Sequence, residues 1–156
     1  MSTAEQNADV VRRGYAAFNA ADLTTLTALM SESVSWHTPG RSRIAGDHVG
    51  RDAVLAQFGR YGGETNGAFK ADLTQVFGSD NGRVVALHHN SGERNGKRLD
   101  SDCCIVFEVK DGQVISAREY FFDLHNWDAF CAPRGHPALE TARPTRITNA
   151  NRCMRC

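Results

Sequence analysis

No sign of charge predominates in this chain: 18 basic residues are balanced by 18 acidic ones over 156 positions. Without a net field the sequence offers no electrostatic reason to bind nucleic acid or an anionic membrane surface. Long apolar runs are absent too. Nothing approaches the roughly 18 consecutive apolar residues of a membrane span, and the first residues do not run from basic to apolar as a secretory signal does. A cytoplasmic protein is expected. Cysteine is scarce and odd in number, with Cys103, Cys104, Cys131, Cys153 and Cys156. That excludes the paired framework of a small secreted disulfide scaffold and predicts reduced thiols. Of four prolines, three lie beyond Cys131, together with five arginines, one acid and few large apolar residues. Residues 132–156 therefore read as a flexible tail, and residues 1–131 as one domain, long enough to bury a core.

Within that domain the apolar spacing changes period once. Val11, Tyr15 and Phe18 fall on one stripe of a helix predicted from Thr3 to Asn19, which opens with Ser2 or Thr3 in capping-box register with Glu5 or Gln6. Asp22 caps a second, shorter helix with Leu23, Leu26, Leu29 and Met30 along one side. Val34 to Thr38 alternates and stops at Pro39-Gly40, a short first strand. Residues 41–50 have no period and read as a loop. A third helix from Asp52 to Tyr61 aligns Val54, Leu55, Phe58 and Tyr61, with Gly62-Gly63 as its exit. Four strand-like runs follow, near Phe69 to Phe77, Arg83 to Ser91, Lys97 to Val109 and Gln113 to Phe122. Asn81-Gly82, Asn95-Gly96 and Asp111-Gly112 separate them as tight turns. A four-strand antiparallel meander must cover one face with helices, which the first 62 residues provide. A last helical turn is expected from Leu124 to Phe130, with Trp127 and Phe130 over an end of the sheet.

This order resembles the cone-shaped α+β barrel of the nuclear transport factor two-like (NTF2-like) superfamily, with three N-terminal helices packed on a curved, mostly antiparallel sheet. The sequence itself resembles the SnoaL-like branch, which includes polyketide cyclases and is described as ketosteroid-isomerase-like. The resemblance is carried by Tyr15 to Leu23, by Val34-Ser35-Trp36-His37-Thr38-Pro39-Gly40, by Gly46 to Phe58, and by Asp111-Gly112-Gln113-Val114-Ile115 running on to Asp123. It covers roughly Val10 to Phe130. The family hosts isomerases, cyclases, epoxide hydrolases, dehydratases and non-catalytic binders, so fold alone does not give function. A steroid isomerase of this fold would need a helix-one tyrosine, a carboxylate base ending the first strand and a protonated acid on a later strand. Those positions fall on Gly14, on Thr38 and near Cys103 to Ile105. Steroid isomerisation is not expected of this chain.

Strand parity then proposes which side chains face a pocket. On the third meander strand Leu99, Cys103, Ile105, Phe107 and Val109 form the inward set. On the last strand the resemblance places Ala117, Glu119, Phe121 and Asp123 inward. Glu119 and Asp123 are the candidate acid–base groups, because burial on an apolar wall disfavours a carboxylate and raises its pKa. A structural alternative stays open for each: Glu119 paired with an arginine such as Arg98, and Asp123 capping the last helical turn. Tyr15 is a candidate donor to a carbonyl or phenol, and His37, at the mouth of the cone, a candidate proton shuttle. Trp36, Thr38, Phe18, Phe58, Tyr61, Cys103 and Phe121 are expected to contact a substrate.

His88-His89 invites a metal reading, but neighbours on a strand point to opposite faces and no zinc-site spacing accompanies them, so no metal is expected. Cys153-Met154-Arg155-Cys156 lacks the context of a redox motif. Three functions remain: a cofactor-independent enzyme of isomerase, cyclase or epoxide-hydrolase type acting on a small hydrophobic molecule; a carrier using the same pocket without chemistry; or a homodimerisation module pairing through its open sheet face. The enzyme is the favoured reading.

Overall fold

The computed structural model describes residues 1–133; the tail reading lies outside these. Helix α1 spans Thr3–Asn19 and α2 spans Leu23–Leu29. Ser2 caps α1 by accepting from the Glu5 amide, and Asp22 caps α2 by accepting from the Thr25 amide at 3.0 Å. Ala8, Val11 and Tyr15 recur at helical spacing and turn the buried stripe of α1 onto the sheet. In α2 only Leu26 and Leu29 are buried. Leu23 is 58% exposed, and Met30 opens strand β1 (Met30–Thr38) while still pointing into the core.

Where a loop was expected, Gly46–Val49 forms strand β2, antiparallel to β1 at the sheet edge. Most of its residues are exposed, so no face imposes the alternation by which a strand is recognised. Helix α3 runs Arg51–Glu64, straight through Gly62 and Gly63. It ends instead at Asn66 and Gly67, whose φ values of 52° and 75° reverse the chain. Val54, Gln57 and Tyr61 form its buried face.

The meander follows as β3 (Lys70–Gly78), β4 (Arg83–Arg94), β5 (Lys97–Lys110) and β6 (Gln113–Phe121). Asn95-Gly96 and Asp111-Gly112 each take two consecutive positive φ values, the geometry that joins twisted antiparallel strands in two residues. The six-stranded sheet has the order β2-β1-β6-β5-β4-β3, and only β1 with β6 is parallel. The sheet is open, with β2 and β3 as edges. Helix α1 lies against β3: Asn19 bonds both the amide and the carbonyl of Ala71, at 3.0 and 2.9 Å. At Gly78 a Cβ would meet the Ala4 carbonyl oxygen at 2.0 Å, so the close approach of helix and strand requires glycine there. Helix α4 (Leu124–Cys131) folds back over one end of the sheet and buries Trp127 and Phe130. Among the described residues no helix is long and apolar enough to cross a membrane.

Candidate functional site

Between the helices and the inner face of the sheet lies a narrow cavity of about 80 Å³. Its walls are mainly aromatic and include Phe18, Trp36, Phe58, Tyr61, Phe121 and Trp127. Edge-to-face pairs link Phe18 to Phe58 at 5.2 Å and Phe58 to Trp36 at 5.0 Å, while Trp127 stacks on Phe121 at 4.2 Å. These rings both build the hollow and constrict it. Among the described residues none of the lining side chains is a lysine or arginine.

Glu119 is the acid of this cavity. On β6 the inward set is Ala117 and Glu119, with Arg118 and Tyr120 exposed on the other face. The Glu119 side chain is buried, and its Oε2 has no hydrogen-bond partner among the described residues. Burial pushes its pKa up to about 7, against the pull of the Thr38 hydroxyl and the Trp36 indole N–H that face it. Such a carboxyl exchanges its proton at neutral pH. Two more buried polar atoms lack a partner among the described residues, Trp36 Nε1 and Gln57 Oε1. Gln57 Nε2 donates to Thr38 Oγ1 at 2.8 Å and to Tyr61 Oη at 2.7 Å, which leaves both hydroxyl protons free for other acceptors.

A second polar group sits across the wall. Tyr15 Oη lies 2.6 Å from His88 Nδ1, and His88 Nε2 lies 3.1 Å from Asn90 Oδ1. All three residues are buried and line the cavity. Burial holds the His88 pKa down to about 4, so the imidazole is neutral, and raises that of Tyr15 above its ordinary value.

The remaining expected site residues divide. Phe18, Trp36, Phe58, Tyr61 and Phe121 line the cavity. Thr38 and Cys103 are fully buried behind that lining, Thr38 reaching the site only through its hydroxyl. His37 turns outward and is held 2.6 Å from Asp47 of β2, its register partner, so it cannot reach the cavity. Asp123 does not continue the inward parity, because β6 ends at Phe121. It is exposed and caps α4, its Oδ1 accepting from the Asn126 amide at 2.9 Å.

The sequence did not single out His88 and Asn90, which line the cavity, or Gln57, which bonds Thr38 and Tyr61. A signal existed for the first two: Val84, Ala86, His88 and Asn90 form one parity set of β4, all buried. His89 points to the other face, with Asp100 at 2.6 Å and Asp102 at 2.8 Å from its two ring nitrogens.

Residues 11–117 match the family described as SnoaL-like domain. An uncharacterized protein of Mycobacterium tuberculosis is 31% identical over 130 residues, covering 83% of this chain and 99% of that protein. Bal32a, a protein of solved structure from a soil-derived mobile gene cassette, is 65% identical over 83% of this chain and 99% of its own, with a TM-score of 0.82. At the level of fold alone the chain is similar to a candidate polyketide cyclase from Xanthomonas campestris, at 22% identity, 84% and 100% coverage and a TM-score of 0.66. It is similar in the same way to a Mycobacterium tuberculosis epoxide hydrolase described as LEH-like, at 20%, 82% and 90%, and 0.67.

Proposed function

The chain belongs to the SnoaL-like family of the NTF2-like superfamily, and on that premise we propose that it is a cofactor-independent enzyme whose Glu119 moves a proton on a small, neutral, hydrophobic molecule held in the cavity. One observation carries the reading: a buried carboxyl on an apolar wall with an oxygen left unpartnered. A structural glutamate at this depth would be paired, since an unsatisfied buried polar oxygen costs stability without return. The cavity lining supplies no cation to balance a charged ligand. Isomerisation, ring closure and epoxide opening are the reactions this arrangement suits, each needing a proton delivered or removed in a site that excludes bulk water.

The test uses two probes, 3-cyclohexen-1-one for double-bond migration and cyclohexene oxide for ring opening. Turnover of either is expected to titrate near pH 7 and to fall about 100-fold or more in Glu119→Gln, with the fold retained by circular dichroism. Undiminished turnover in that variant rejects Glu119; saturable binding with no product on long incubation supports a carrier instead.

A dimer formed through the outer sheet face is a second part of the proposal. Val85, Leu87, Cys104 and Val106 lie half-buried there, beside Tyr120 at 50% and Phe122 at 68% exposure. Sedimentation at micromolar concentration is expected to give a dimer that Tyr120→Lys dissociates, and a wild-type monomer removes this part.

A further inference from the structure

The Tyr15, His88 and Asn90 group lies in the cavity without a part in the Glu119 chemistry, and the orientation of the Asn90 amide sets the direction of its hydrogen bonds. A neutral imidazole carries one N–H. Asn90 turns Oδ1 toward His88 Nε2 at 3.1 Å, and an oxygen that can only accept assigns the proton to Nε2, an assignment the nitrogen-15 measurement below tests. His88 Nδ1 then presents a lone pair, and the short 2.6 Å approach of Tyr15 Oη is a bond in which the tyrosine donates. Its only proton is therefore committed to the histidine. What Tyr15 has left for the cavity is the lone-pair side of its oxygen. The sequence reading made Tyr15 a donor to a carbonyl or phenol oxygen; the histidine reverses that role.

The register sets the separation of this group from Glu119. His88 stands opposite Cys103, which stands opposite Phe121, whereas Glu119 belongs to the row of Ile105 and Ala86. His88 and Glu119 are thus two strands apart across the sheet and offset by two residues, roughly 10 Å sideways at the usual strand spacing. One ring bridges such a span.

We propose that Tyr15 is a specificity-determining residue of the cavity, offering an acceptor set in place by His88 and Asn90, and that it selects neutral ring compounds bearing a hydroxyl at the end remote from Glu119. The inference rests on the cavity taking a small neutral molecule, as proposed above, and adds which molecule. A ligand hydroxyl donates to Tyr15 Oη, while its other polar group meets the unpartnered Trp36 N–H and Glu119 Oε2. An ether or a bare ring at the same place leaves the acceptor unsatisfied or sets two acceptors against each other, and sites built to bond a hydroxyl discriminate strongly on that ground.

The experiment titrates Trp fluorescence with 4-hydroxyacetophenone, acetophenone and 4-methoxyacetophenone. The wild-type protein is expected to bind the hydroxyl compound at least about 10-fold more tightly than either analogue, a modest demand for one buried hydrogen bond. Tyr15→Phe is expected to bring the three compounds within about 2-fold of one another, whatever the common affinity. His88→Leu frees the tyrosine proton, and its preference is expected to move toward the methoxy compound. Nitrogen-15 shifts of His88 are expected to report the proton on Nε2. Equal wild-type affinities, a hydroxyl preference that survives Tyr15→Phe, a proton on Nδ1, or no binding of any probe at millimolar concentration would each overturn the proposal. Its fate is separable from that of the acid–base reading. If Glu119→Gln stops turnover and the hydroxyl preference is absent, only this inference fails; if turnover survives in Glu119→Gln and the preference is present, only the acid–base reading fails.

Discussion

At the scale of single residues, two buried side chains of the cavity that titrate between pH 4 and 7 pull the pH dependence of stability in opposite directions. Glu119 holds its proton up to about pH 7 in the folded state, against an ordinary value of 4.5, so its contribution is full below 4.5 and is lost as pH rises through 7. His88 refuses its proton down to about pH 4 against 6.5, so its contribution is full above 6.5 and is lost as pH falls through 4. Each swing is worth about 3 kcal/mol at the usual conversion. Between pH 4.5 and 6.5 they cancel, and the wild-type protein is expected to show a flat stability profile there. Glu119→Gln leaves the histidine uncompensated, and its urea midpoint is expected to climb from pH 4.5 to 6.5. His88→Gln leaves the glutamate, and its midpoint is expected to drop over the same interval. Parallel profiles in the two variants would show that these groups do not titrate as described. Glu119 was visible in the sequence because the family resemblance said which face of the last strand turns inward and period-two parity then selected the residues on it. The partnership of Tyr15 with His88 was not, since it joins residues 73 positions apart whose meeting depends on how α1 lies on the sheet. Asp123 misled for a related reason: parity has no meaning past the last paired residue, and β6 stops two residues earlier.

At the scale of elements, legibility follows burial. Helix α1 and strands β4, β5 and β6 bury one face each, so their period is written in the apolar residues and their limits were read to within about three residues, β4 running on from the expected Ser91 to Arg94. Strand β2 buries almost nothing and left no pattern. Helix α3 shows the opposite failure. Glycine pairs usually end helices, yet Gly62 and Gly63 are exposed interior positions with ordinary helical backbone, and the turn is made by Asn66 and Gly67. Tyr61 extends the helix past them, because its carbonyl accepts from Thr65 Oγ1 at 2.6 Å, and that same oxygen receives the Phe69 amide at 3.1 Å. A Cβ at Gly62 or Gly63 meets nothing within 4 Å. Gly62→Ala is therefore expected to stabilise the protein by about 0.5–1 kcal/mol, through the lower helix propensity of glycine alone. Differential scanning calorimetry checks the sign. A loss of stability would place the helix end at the glycines after all.

At the scale of the whole molecule, the cavity is closed at one end by α4, which three polar side chains tie to the rest: Lys97 Nζ donates to the Ala129 carbonyl at 2.6 Å, Asp128 accepts from the Arg41 and Ser42 amides, and Arg94 reaches two backbone carbonyls. Arg94, at the end of β4, is 7% exposed, and its Nη1 donates to the carbonyls of Phe130 at 2.9 Å and Ala132 at 2.7 Å. Its Nε lies 2.9 Å from Glu64 of α3 as an ion pair, though without the alignment of a hydrogen bond. Three elements that are distant in sequence thus converge on one guanidinium, and Trp127, carried by α4, is held over Phe121 at the cavity wall. Arg94→Met keeps much of the volume but strands two carbonyls, and is expected to cost about 3 kcal/mol, the order expected for two buried acceptors left without a donor, while Glu64 keeps Arg43 at 3.2 Å and Arg60 at 3.8 Å. Most of that cost belongs to the carbonyls, since the Glu64 side chain remains 31% exposed and water can solvate it. Adding Glu64→Gln to Arg94→Met is accordingly expected to recover less than about 1 kcal/mol. The urea midpoints of the two variants measure both quantities. Acrylamide quenching of Trp127, read in a background where Trp36 is phenylalanine, is expected to rise with Arg94→Met as α4 loosens. Near-complete recovery by the second substitution would mean that charge pairing with α3, and not the tie to the α4 backbone, is what keeps the cavity shut.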